Sequence, residues 1–279
     1  MRPPESLELR RLALAVCVLD DIDIVPLDEG VLLTGLTPVE VSWLELRRAL
    51  AGADLESDLA RARIAAWLRG RRIAADRHPE ELRGLARPVG LPTEHPLHPG
   101  LDWVRYRVMG GVLDLGLGFV GVGGDPDEVE VVPQGALTAA GVDPGPWWPA
   151  ARDYLERMGA VAAGRLEHNP VLRPIGDCDV VTLLGSRTLR AALAVGDGTG
   201  LRAAAVPMRR RGWLDLNRID PAFTAAAAAA TGAAERGFPR PVLLTADEVT
   251  LATEGGRPAE IVLRDPAAGT PHLRPVLFR

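Results

Sequence analysis

Apolar residues recur along this chain at two different spacings, and the change of spacing divides it. Val39, Trp43, Leu46 and Leu50 stand three or four residues apart, the interval that gathers side chains on one helix face. Thr37, Pro38 and Glu40 ahead of them have the form of an N-cap, a first-turn proline and a capping-box glutamate, and Gly52 supplies a stop. A second helix is predicted over about 54–68, with Leu55, Leu59, Ala62 and Ala66 as its face and Gly70 as its end. A short third helix follows His78-Pro79-Glu80-Glu81. The apolar run 12–19 reads as a buried strand or short helix. Prolines at 88, 92, 96 and 99 mark a linker or ordered loop, and a helix is expected over about 101–109.

Beyond residue 110 the period drops to two. Leu113, Leu115, Leu117 and Phe119 alternate with Asp114, Gly116, Gly118 and Val120, the pattern of a strand, and 128–132 is its expected hairpin partner across a turn at 123–126. The glycine-bearing face suits close approach of a packed element. Helices are predicted over 149–167, after Ser186 and over 223–231. Strands are predicted at 180–184, 201–208, 213–216 and 242–245, and a hairpin joins 249–252 to 261–263 around Gly255-Gly256. Strands and helices mix without strict alternation, so the predicted fold class is α+β, with antiparallel hairpins. Residues 1–90 form its mostly helical region and 91–279 a mixed region, as separate domains or as one compact domain.

Composition changes this picture in one respect. All 32 basic residues are arginine, the signature of a high-GC bacterium's codon usage. Without lysine there is no Schiff base, no pyridoxal phosphate anchor and no P-loop ATP site of the usual form. Arginine clamps anions but stays protonated, so it makes a poor general base. The formal net charge of −5 argues against a broad nucleic-acid surface. Only Cys17 and Cys178 are present, which suits a reducing cytoplasm. No apolar run is long enough to span a membrane.

Three places carry candidate chemistry. In Asp177-Cys178-Asp179, alternation along an extended chain would put both carboxylates on one side, where they could hold a divalent cation. Gly185, Ser186 and Arg187 then open a helix whose free amides, with the guanidinium, could bind a small anionic or phosphorylated ligand. Turn and N-cap chemistry accounts for Gly185 and Ser186 without a ligand. The acidic pair precedes Gly-Ser, the reverse of the order in nucleotidyltransferases. His95 and His98, followed by Asp102, have loose metal-ligand spacing on a proline-bounded loop, although Asp102 also suits a helix cap. Arg69, Arg71 and Arg72 sit among six arginines between 61 and 77, a surface for a protein partner or a solvated helix face. Arg209-Arg210-Arg211 ahead of Trp213 is a smaller basic group that could serve nucleic acid. Gly116-Leu-Gly-Phe-Val-Gly121 has the letters of a dinucleotide fingerprint, but its glycines alternate along a strand.

No complete catalytic constellation emerges. The expectation is an interaction or binding protein, with a cation-dependent enzyme or binding protein for an anionic ligand as the alternative and nucleic-acid binding as a third.

Overall fold

The computed structural model describes residues 4–103, 105–123, 128–166, 170–195, 198–252, 262–264 and 271–273. Helices and antiparallel hairpins make up an α+β fold. Two compact units divide the chain, and neither is one continuous segment. The first comprises 1–89, 94–106 and 115–154; the second comprises 90–93, 107–114 and 155–279.

The first unit opens with α1 (Pro4–Leu19), so the run 12–19 is helical. A three-stranded meander follows: β1 (Ile24–Pro26), β2 (Gly30–Leu33) and β3 (Val39–Ser42), antiparallel throughout. The expected helix start at Thr37 is therefore displaced. Leu33 pairs with Val39 and Val31 with Val41, and burying Val41 in this ladder outweighs the local cap at Thr37. The capping box forms five residues later, where Ser42 and Glu45 exchange hydrogen bonds at the start of α2 (Trp43–Leu50).

Helix α3 (Asp58–Asp76) is capped by Ser57 and runs through Gly70 instead of stopping there. A side chain at Gly70 would lie 2.8 Å from Val132 and 3.1 Å from Ala136, so the glycine serves close packing, not termination. Then come α4 (Pro79–Leu85), capped by His78, and β4 (Ala86–Pro92), a largely buried strand where prolines had suggested a linker or loop. The helix expected over 101–109 is absent among the described residues. Turns lead instead to β5 (Arg105–Arg107). The alternating segment is β6 (Leu113–Val120), buried on both faces. It pairs with β7 (Val129–Glu130), as the sequence predicts, through Phe119 opposite Glu130; the turn between them lies outside the described residues from 124 to 127. Helix α5 (Gln134–Ala139) closes on α3. Ala13, Val31, Leu46, Ile64, Leu68, Phe119 and Leu137 belong to one core cluster.

Chain order continues with α6 (Trp148–Leu166), whose first seven residues belong to the first unit. The second unit is built on an antiparallel sheet of five strands: β8 (Val171–Leu172), β9 (Arg202–Met208), β10 (Arg211–Trp213), β11 (Val242–Leu244) and β12 (Val249–Leu251), in the order β12-β11-β9-β10-β8. Helix α8 (Arg187–Val195) packs on β11 and helix α9 (Pro221–Ala229) on β9, while α7 (Val180–Leu183) is a single turn. The apolar run 180–184 is thus helical, not extended. Asp179 caps it by accepting the Thr182 amide, a signal that outweighs the β-branched valines. Among the described residues β12 pairs with β11, whereas β13 (Val262–Arg264) pairs with β14 (Pro271–Leu273), in place of the hairpin expected between 249–252 and 261–263. Its proposed turn, Gly255-Gly256, lies outside the described residues. No helix among the described residues is long and apolar enough to cross a membrane.

Candidate functional site

The stretch 175–188 is tightly tied to its own unit. Ile175 and Cys178 exchange two backbone hydrogen bonds around a turn in which Gly176 has a φ of 54°. Asp177 sits in that turn, so the extended geometry that would align it with Asp179 is not present. Both oxygens of Asp179 are engaged: one accepts the Thr182 amide at 2.7 Å, and the other meets the Arg209 guanidinium at 2.7 Å. Among the described residues no group of three metal-ligating side chains assembles.

The start of α8 does gather an anion, and the anion is the protein's own. The Glu156 carboxylate accepts the Ser186 hydroxyl at 2.8 Å and the Arg187 and Thr188 amides at 3.0 Å each. Burial works against its ionisation, but these donors outweigh it and hold the carboxyl below its usual range. Ser186 is fully buried and also caps Leu189, while the Arg187 guanidinium reaches Asp247 at 2.9 Å. Gly185 follows α7 and donates its amide to the Thr182 carbonyl. Glu156 lies thirty residues upstream on α6, and no local pattern announces it.

His95 and His98 are buried, and each accepts a nearby amide at Nδ1: Leu97 for His95, Gly100 for His98. His98 also meets the Trp103 ring edge-on. In the arginine set, Arg69 pairs with Asp20 at 3.0 Å and Arg72 with Asp76 at 3.8 Å. Arg71 is buried 3.9 Å from Glu45. Arg77 pairs with Glu81 and Arg61 with Asp58. Arg209 is taken by Asp179, while Arg211 and Arg218 lie over the Trp213 ring.

An open cleft of about 450 Å³ lies in the first unit, lined by Glu45, Arg48, Trp67, Asp102, Gln134 and Thr138 among others. Asp102 is half-buried, and its Oδ1 accepts the Gly135 amide at 2.6 Å while its carbonyl accepts the Gln134 amide. It therefore caps α5, from more than thirty residues away, and no helix follows it directly. Burial raises its carboxyl above the usual range, and the Gly135 hydrogen bond only partly opposes this. Gly135 is required here, since a side chain would lie 2.9 Å from the Trp67 ring and 3.1 Å from the Asp102 carboxylate. Trp67 is nine-tenths buried, and its indole N–H has no acceptor among the described residues. The side chains of Arg48, Gln134 and Thr138 make no hydrogen bond or ion pair among the described residues. Of these six residues the sequence pointed only to Asp102.

No protein-family model, curated protein or solved structure matches this chain.

Proposed function

We propose that this is a binding protein for a small polar ligand, received in the first unit's cleft. The supporting observation is a contrast in engagement. The polar groups of the 177–188 stretch are largely engaged with other groups of the same unit, with Glu156 occupying the helix start and Asp179 divided between Thr182 and Arg209. The cleft instead presents Arg48, Gln134 and Thr138, whose side-chain donors and acceptors are unspent among the described residues, beside a half-buried acid and an indole wall. Concave sites with a few convergent polar groups on an apolar wall are where small ligands bind. A protein partner docking on Arg69, Arg71 and Arg72 is less well supported, because each of them faces an internal carboxylate. A reducing, cytoplasmic setting fits the two buried, unbridged cysteines.

A metabolite panel screened by thermal shift tests this reading against Ala139→Trp, which fills the cleft from an exposed position. Ligand at about a hundred times its Kd adds ~2.7 kcal/mol of stability, a rise of several degrees. At least one compound should raise the Tm of the wild type and not that of Ala139→Trp. A panel in which no rise depends on residue 139 overturns the reading. Adding magnesium or a chelator leaves the Tm unchanged on this account; a magnesium rise abolished by Asp177→Asn with Asp179→Asn would restore the cation site.

A further inference from the structure

We infer that the cleft recognises a zwitterion of amino-acid type, its cationic end on Asp102 and its anionic end on Arg48. This rests on the cleft being a ligand site. Three charged side chains line it, and they are not equivalent. Glu45 is already compensated: one oxygen accepts from the Ser42 amide and hydroxyl, and the other lies 3.9 Å from the buried Arg71. Arg48, one turn further along α2, is exposed and pairs with no carboxylate among the described residues. Asp102 likewise pairs with no cation among them. Two opposite charges thus share one cleft without neutralising each other. A ligand carrying a single charge satisfies one and leaves the other facing an unmatched group, whereas a zwitterion answers both. Gln134 and Thr138 add hydrogen bonds, and the Trp67 ring offers an apolar wall for a side chain.

Asp102 carries the second argument. Its structural task is to accept one amide hydrogen bond from Gly135, which a neutral asparagine oxygen can also accept. The acid stands in a half-buried position where burial disfavours its ionisation. The negative charge of Asp102 is thus not needed for its helix-capping contact, and it lines the cleft with no cation against it among the described residues.

Calorimetric titration of the full chain with common L-amino acids, each against its decarboxylated amine and its deaminated acid, tests the inference. At least one amino acid should bind about tenfold or more tightly than either half-molecule. Asp102→Asn should weaken the amino acid and the amine by about tenfold, leave the deaminated acid unaffected, and leave the unliganded Tm equal or higher. Arg48→Gln should show the complementary pattern. Half-molecules that bind as well as the whole, or an Asp102→Asn whose Tm falls while its affinity holds, overturn it and leave Asp102 a helix cap. If no amino acid binds but other compounds give shifts abolished by Ala139→Trp, the zwitterion is wrong and the cleft stands. If nothing depends on residue 139, both fail.

Discussion

At the scale of single residues, Glu156 decides what the start of α8 does. Burial works against its ionisation, but three donors from Ser186, Arg187 and Thr188 converge on its carboxylate and hold its pKa below the ordinary glutamate range. A group with a lowered folded-state pKa stabilises the fold above its unfolded value, and that stability is lost as pH falls through the folded value. Glu156→Gln should therefore lower the urea midpoint at neutral pH, corresponding to a loss of about 1 kcal/mol in unfolding free energy once solvent screening of this half-buried group is allowed for. The gap between variant and wild type should close as the pH drops below the glutamate range; a gap constant with pH would show that charge plays no part. Cys17 offers a second check. Burial, and then the neighbouring Asp20 carboxylate, push its thiol up to about 11. A thiol reagent at mildly alkaline pH should leave Cys17 unmodified in the native protein and label it after unfolding. Legibility at this scale was uneven. The helix start at Ser186-Arg187 was readable, but that the chain's own Glu156 meets its donors was not, because a carboxylate thirty residues away leaves no mark in the local pattern. Arg48, Gln134 and Thr138 were equally silent: an exposed polar residue looks the same in sequence whether or not a cleft lies in front of it.

Elements show why local signals fix the kind of structure better than its limits. Two candidate capping boxes, Thr37 with Glu40 and Ser42 with Glu45, lie five residues apart, and both have the required letters. Pairing of β3 with β2 selects the second, a long-range choice that no cap can express. Glycine carries the same ambiguity, as α6 demonstrates with two of them. A side chain at Gly159 would fall 2.0 Å from the Ser186 Oγ and 2.5 Å from its Cβ, whereas one at Gly164 would meet nothing within 4 Å. Gly159→Ala should destabilise by about 1–3 kcal/mol and disturb the Glu156 contact. Gly164→Ala, near the exposed end of the same helix, should stabilise by roughly 0.5 kcal/mol through helix propensity and a less flexible unfolded chain. Denaturant midpoints of the two variants measure this directly, and shifts of the same sign would mean that the close approach at Gly159 is not limiting.

For the whole molecule, the α+β class was legible because the spacing of apolar residues changes from helical to alternating near residue 110. The order in which the chain builds its compact units was not. The core of the first unit takes Leu46, Ile64 and Leu68 from the early helices, but also Phe119, Val132, Ala136, Leu137 and Val142 from beyond residue 115. Alternation and helical spacing report which face of an element is buried, never which distant element buries it. A consequence can be measured. A fragment 1–90 lacks Phe119, Val132, Ala136, Leu137 and Val142 of this cluster, and with them the α5 packing against α3 at Trp67 and Gly70; a large→small deletion at even one buried site costs about 2–5 kcal/mol. A domain's net stability is only about 5–15 kcal/mol, so losing five buried side chains at once exceeds it. The fragment 1–154 retains every member of that cluster. It should melt cooperatively by circular dichroism, and 1–90 should show no cooperative transition; a cooperative melt of 1–90 would mean that the helices and the β1–β3 meander close a core without the residues beyond 115.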